Sequence, residues 1–214
     1  MNSAADQLLV FVLLINILVL GTHRTSVAIR AIATQGIVLG LLPLLTHPFH
    51  SHILIITIFV LLAKGCCIPL LLLNALKKIE TGEDLQPFFG YSGNILMGAV
   101  ATVLAFVFAA KLPLAPVHQG LLIVPASLAT ILTGFIAIAG RRKAINQVVG
   151  YLMLENGIFI FGLLLTEAMP VMVEAGALLD LIAGIFVMGI IINQISREFS
   201  SIDTSRMTAL REVD

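Results

Sequence analysis

The chain of 214 residues is strongly apolar: 59% of its residues are hydrophobic, 11% are charged, and its mean hydropathy is +1.07. Soluble domains contain about 25% charged and about 45–50% apolar residues, so this composition excludes an ordinary soluble protein and indicates an integral membrane protein. The 12 basic and 12 acidic residues balance. Without a basic excess we expect no nucleic-acid partner.

Seven apolar segments follow one another along the chain, and each is long enough for a membrane-spanning helix of about 20 residues. The segments are continuous, whereas the strands of a membrane barrel alternate between apolar and polar residues. We therefore predict an all-α integral membrane bundle of about seven transmembrane helices. The predicted spans are residues 4–20, 27–45, 53–76, 92–110, 120–139, 145–165 and 171–195.

The basic residues are distributed unevenly between the loops that join these spans. Ten lie in or next to one alternating set of loops and in the tail, whereas the other set contains only Lys111, and Lys64 lies in the interior of a span. Because cytoplasmic loops are enriched in Lys and Arg, we predict the N-terminus outside and the C-terminus in the cytoplasm. The ten residues are Arg24, Arg30, Lys77, Lys78, Arg141, Arg142, Lys143, Arg197, Arg206 and Arg211.

The predicted order of helices divides the chain into three parts. Residues 1–91 form a three-helix membrane module with a cytoplasmic loop, residues 92–118 a reversing helix, and residues 119–214 a second three-helix module with a cytoplasmic tail. The modules have similar first turns, GTHRTSVAIR and GRRKAINQVV, followed by Gln35-Gly36 in one and Glu155-Asn156-Gly157 in the other. These features suggest a parallel repeat, with chance similarity between apolar helices as the alternative.

Three ionisable residues, Lys64, Glu155 and Asp180, lie in the interior of predicted spans, away from the span ends. A charge at the centre of a spanning helix costs about 2.5–3.5 kcal/mol, and such residues commonly mark proton or ion pathways. We therefore predict that Glu155 and Asp180 transfer protons and that Lys64 tunes or gates them. A purely structural alternative is that Lys64 pairs with Glu155 or with Asp180 to hold the helices together.

No motif in the sequence predicts a cofactor, a metal or an independent redox centre. It contains no phosphate-binding glycine loop, no Ser-His-Asp arrangement, no pair of haem ligands and no iron–sulfur cysteine cluster. Cys66 and Cys67 are adjacent, and we expect small apolar core residues there. His47, His50 and His52 have a spacing that suits a metal, but an interfacial loop is the preferred interpretation.

One block, RRKAINQVVGYLMLENGIF, resembles a known membrane family. The basic turn and the mid-membrane Glu155-Asn156 are similar to those of the small K-type chain of NADH:quinone oxidoreductase, a likeness that covers residues 120–212. Asp180 lies where that family has a second carboxylate, usually Glu. The K-type chain has only three helices. The present protein, taken over its whole length, is similar in length and topology to hydrogenase-4 component E, a membrane subunit of formate hydrogenlyase-type complexes.

The resemblance implies a non-catalytic membrane-arm subunit of an energy-converting nickel–iron hydrogenase complex in a bacterial or archaeal cytoplasmic membrane. Its implied partners are antiporter-like membrane subunits and the lipid bilayer, with indirect contact to a cytoplasmic hydrogenase arm that carries the metals. Alternative functions are a subunit of a multi-chain cation/proton antiporter, a subunit of a complex I-like oxidoreductase, and a stand-alone transporter.

Overall fold

A computed structural model describes residues 3–46, 57–58, 61–78, 90–113, 122–141, 144–165 and 189. Within these ranges the chain is helical and contains no strand, which confirms the all-α prediction for this part of the chain. The helices are α1 (Ser3–Gly21), α2 (Thr25–Thr46), a π-helical segment (Ala63–Cys67), α3 (Ile68–Lys78), α4 (Gly90–Lys111), α5 (Ile123–Ala139) and α6 (Ala144–Leu165).

Within the described residues, three stretches are long and apolar enough to cross a membrane: Ala4–Gly21, Thr25–Leu45 and Gly90–Lys111. Two shorter apolar helices, Lys64–Asn74 and Ile123–Ala139, accompany them. The protein is therefore a helical membrane protein, whereas the count of seven spans and their orientation stay predictions. The predicted span 171–195 lies almost entirely outside the described residues.

Helix α4 shows how such a chain divides its surface between protein and membrane. Small side chains let a neighbouring helix approach closely, and the small-residue face of α4 packs against α1 and α5. Its opposite face leaves Leu96 and Val103 66% and 62% exposed, as suits contact with lipid or with another apolar surface. The buried residues of α4 are Asn94, Gly98, Ala101, Ala105 and Ala109.

Helices α5 and α6 pack most closely, because glycine removes the side chains that would separate them. A Cβ atom on Gly134 would lie 2.6 Å from the backbone nitrogen of Leu154, and one on Gly157 would lie 2.7 Å from that of Ile131. Backbone atoms cannot move aside as a flexible side chain can. This close approach fixes the height at which Glu155 and Asn156 stand in the bundle.

Helices α2 and α6 lie side by side and run in the same direction. Near their N-terminal ends Thr25 Oγ1 donates a hydrogen bond to Asn146 Oδ1 at 2.9 Å. Ten residues further along each helix, Asn156 Nδ2 donates to Gln35 Oε1 at 3.2 Å. Both pairs are separated by 121 residues in sequence. A parallel repeat accounts for this geometry, although the repeat and the three-part division stay predictions.

The buried interior consists of two apolar clusters with polar side chains between them. One cluster lies towards the α1–α2 and α5–α6 turns and includes Val19 and Val149. The other lies towards the opposite end of the bundle and includes Leu9 and Ile160. Gln35 lies between the clusters on α2 and is fully buried. The bundle therefore places a polar layer near the middle of its apolar core.

Candidate functional site

A buried ion pair joins two of the ionisable residues that the sequence singles out. Lys64 Nζ lies 3.2 Å from Glu155 Oε1, and the two side chains are 6% and 3% exposed. Among the described residues, the carboxylate beside Lys64 is Glu155, one of the two partners that the sequence left open. Asp180 lies outside the described residues, so its position relative to this pair stays a prediction.

Lys64 reaches the pair from the π-helical segment, which packs closely against α2. A Cβ atom on Gly36 would lie 2.9 Å from both the Cβ atom and the carbonyl oxygen of Lys64. Only a residue without a side chain allows this approach. Single π-helical turns are rare and often occur at functional sites. The turn places the lysine stem against α2 and its ammonium between Glu155 and the ring of Phe159, whose centroid lies 5.2 Å from Nζ.

From this ion pair a continuous line of hydrogen bonds, named here the polar chain, links Lys64, Asn156, Gln35, Asn16 and Thr130. Lys64 Nζ donates to Asn156 Oδ1 at 3.4 Å, and Asn156 Nδ2 donates to Gln35 Oε1 at 3.2 Å. Gln35 Nε2 donates to Asn16 Oδ1 at 2.9 Å, and Asn16 Nδ2 donates to Thr130 Oγ1 at 2.8 Å. The Thr130 hydroxyl donates at 2.7 Å to the carbonyl four residues earlier in α5.

The polar chain connects α6, α2, α1, α5 and the π-helical segment, and none of its members is more than 6% exposed. Removing one partner of a buried ion pair typically costs about 3–5 kcal/mol because the other charge remains uncompensated. Here Lys64 has a carboxylate, an amide oxygen and an aromatic face around one ammonium. This arrangement can hold a charge inside an apolar bundle.

The sequence identified only part of this site. Lys64 and Glu155 were predicted as buried ionisable residues, and Gln35 and Asn156 were noticed in the suggested repeat. Asn16 and Thr130 were missed. They could have been found as single amide or hydroxyl side chains within an otherwise apolar helix, for example Asn16 within LLVFVLLINILVLG.

Two further expectations concern residues outside the polar chain. Cys66 and Cys67 are exposed, so their placement in the core was wrong. Cys66 follows Lys64 by two positions and therefore does not share the helix face of Lys64. The part of the chain that the structure describes contains no group of three His, Cys, Asp or Glu side chains able to hold a metal. His47, His50 and His52 lie outside that part.

A second group of buried polar side chains, the turn-end cluster of Asn94, Arg141 and Asn146, lies near the α5–α6 turn. Arg141 is only 2% exposed, and its Nη2 atom donates to the carbonyl oxygen of Val19 at 2.7 Å. Burial lowers the pKa of Arg141 to about 10, and Tyr91 partly opposes that shift. The guanidinium therefore stays charged at neutral pH. In the sequence, Arg141 stood out only as one of the basic residues that indicate the orientation of the protein in the membrane.

Comparisons with known proteins find relatives for most of the chain. It is 29% identical over 204 residues to the uncharacterized protein Rv0085 of Mycobacterium tuberculosis, covering 93% of this chain and 92% of that protein. It is 30% identical over 152 residues to hydrogenase-4 component E of Escherichia coli (strain K12), covering 70% of this chain and 69% of that protein. The component E of Shigella flexneri matches to the same extent. No family model and no solved structure matches the chain.

Proposed function

This chain belongs to the family of hydrogenase-4 component E, and from that premise we propose that it is a membrane subunit of a hydrogenase complex that contributes buried ionisable residues to proton translocation. The complex would be an energy-converting nickel–iron hydrogenase of the formate hydrogenlyase type. The subunit itself would carry no redox centre. The metals and the hydrogen chemistry would belong to a cytoplasmic arm.

The single observation that carries the translocation role is the Lys64–Glu155 pair, with its atoms 3.2 Å apart inside an apolar helical bundle. Intramembrane ionisable residues are costly to bury and mark proton and ion pathways by default. A carboxylate beside an ammonium can receive a proton while the ammonium moves to a neighbouring acceptor. Asn156 Oδ1, at 3.4 Å from Nζ, is such an acceptor, and Asp180 is the proposed second acid of the pathway.

The proposed setting is a multi-pass subunit in a bacterial or archaeal cytoplasmic membrane, with about seven spans and the C-terminus inside. The exposed apolar face of α4 supports embedding in lipid or against another membrane subunit, because large apolar patches mark such contacts. Antiporter-like membrane subunits are the proposed neighbours, and contact with the hydrogenase arm would be indirect. The likeness to the K-type chain stays a prediction.

The translocation role is tested with Glu155→Gln in the whole complex, reconstituted into vesicles. The amide keeps an oxygen for Lys64 but cannot carry a proton at neutral pH. We expect the complex still to assemble, in a smaller amount because Lys64 loses its carboxylate, with normal hydrogen evolution per complex and a strongly reduced number of ions moved per hydrogen formed. Asp6→Asn is the matched control, since it removes a carboxylate at the start of α1, away from the ion pair. A normal ratio in Glu155→Gln would overturn the role.

Membership of a hydrogenase complex is tested separately by affinity purification of the chain from its native membrane. We expect a hydrogenase large subunit among the co-purifying chains. Antiporter-like chains without a hydrogenase subunit would instead support the cation/proton antiporter. A folded chain that purifies alone and transports a solute in vesicles would support a stand-alone transporter.

A further inference from the structure

We propose that the polar chain is a positioning device that holds Lys64 beside Glu155, and that protons do not travel along it. This inference rests on the proposed function, because it assigns a role to residues around the same ion pair. It makes Asn156, Gln35 and Asn16 positioning residues, with Thr130 as the anchor that attaches them to α5.

The first argument is the direction of the hydrogen bonds, which is the same at every link. Each member of the polar chain donates to the next member further from Lys64. A lysine ammonium only donates and a backbone carbonyl only accepts. Lys64 at one end and the α5 carbonyl that accepts from Thr130 at the other end therefore determine how every amide between them is turned. Each amide oxygen therefore points towards the Lys64 end of the polar chain, and each amide nitrogen points towards Thr130.

The second argument is the chemistry of the links. Side-chain amides of Asn and Gln supply donors and an acceptor but have no group that titrates near neutral pH. Three consecutive amides separate Lys64 from the hydroxyl of Thr130. A proton that arrives at Glu155 therefore has no titratable relay in this direction. The polar chain instead couples the orientations of its side chains. If one side chain rotates, its neighbour loses a hydrogen-bond partner in a buried site.

The third argument is where the polar chain is anchored. Thr130 and Thr133 lie one turn apart on α5, both fully buried, and both hydroxyls donate to a carbonyl four residues earlier. Among the hydrogen bonds of the described residues, Thr130 also accepts one from the side chain of Asn16, and Thr133 accepts none from a side chain. Thr130 and Thr133 are therefore a matched pair of residues on one helix face. One completes the polar chain, and the other has the same local bond without that connection.

The experiment compares Thr130→Val, Thr130→Ser and Thr133→Val in the whole complex reconstituted into vesicles. Valine removes the hydroxyl with little change in shape, and serine keeps it. We expect Thr130→Val to lower the number of ions moved per hydrogen formed by about twofold or more, as substitutions along a coupled network do. Thr130→Ser and Thr133→Val should keep the normal ratio. An effect confined to folding would reduce the amount of complex in both valine variants and leave the ratio unchanged.

A second measurement does not depend on ion movement. The infrared carboxylate bands of Glu155, identified by their loss in Glu155→Gln, should shift in Thr130→Val and stay in place in Thr133→Val, since Lys64 is held differently only in the first. Equal spectra for the two valine variants, or equal losses of coupling, would overturn the positioning role. If Glu155→Gln leaves coupling normal while the Thr130→Val shift is seen, the proposed function fails and the positioning role stands.

Discussion

The polar chain and the turn-end cluster are both buried, but they differ in how completely their atoms are paired. In the polar chain every amide nitrogen and oxygen has a hydrogen-bond partner. In the turn-end cluster, Arg141 Nη1, Asn146 Nδ2 and both amide atoms of Asn94 have none within the described ranges. All three residues of that cluster are nevertheless only 1–2% exposed.

This difference shows that burial of a polar side chain does not by itself reveal what the side chain contributes. When a hydrogen-bonded side chain is replaced by an apolar one, its former partner is left buried without a hydrogen bond. This lowers the free energy of unfolding by about 1–3 kcal/mol for each neutral group left unpaired. A buried group without a partner already bears that cost in the folded state. The same substitution should therefore have opposite consequences in the two regions.

The largest expected effect is at the charged end of the polar chain. Lys64→Met removes the ammonium and leaves Glu155 without the cation that lies 3.2 Å from it. We expect the free energy of unfolding to fall by about 3–5 kcal/mol, as for other broken buried pairs. Thermal and denaturant unfolding of the purified chain in detergent would measure it.

The double variant Lys64→Met with Glu155→Gln provides the control for that measurement. It removes both charges, so it should recover much of the lost stability, because replacing a whole buried pair is often close to neutral. If the double variant is as unstable as Lys64→Met alone, packing of the lysine stem and not its charge accounts for the loss.

A smaller effect is expected in the middle of the polar chain. Gln35→Leu deprives Asn156 Nδ2 of its acceptor and Asn16 Oδ1 of its donor. We expect a loss of about 1–3 kcal/mol in the free energy of unfolding, at the lower end if the membrane environment weakens each bond. The control is Gln7→Leu, the same change at an exposed position of α1. Equal effects of the two variants would contradict the difference in pairing.

The sequence predicted much of the fold and about half of the site, for physical reasons that can be identified. Apolar runs locate α1, α2, α4 and α5 to within a few residues, because membrane helices are defined by length and hydrophobicity. An ionisable residue in such a run, such as Glu155, is conspicuous.

What the sequence could not predict depends on how the helices are turned towards one another. The bond between Asn16 and Thr130 joins residues 114 positions apart, and no local pattern encodes it. The π-helical segment at Lys64 packs against Gly36 of another helix, which makes it a consequence of tertiary contact. The misplacement of Cys66 and Cys67 has the same origin, since their orientation follows from that segment.

The smallest expected effect, with the opposite sign, is at the turn-end cluster. Asn94 is 1% exposed, neither of its amide atoms has a hydrogen-bond partner among the described residues, and its side chain lies against Gly140. Asn94→Leu replaces the amide by an apolar group of similar size, which is nearly neutral or stabilising when no partner is stranded. We expect a change in the free energy of unfolding between zero and a gain of about 1 kcal/mol, measured beside Gln35→Leu and the exposed control Asn74→Leu. A loss as large as that of Gln35→Leu would mean that Asn94 is paired in the folded protein, and the contrast between the two clusters would disappear.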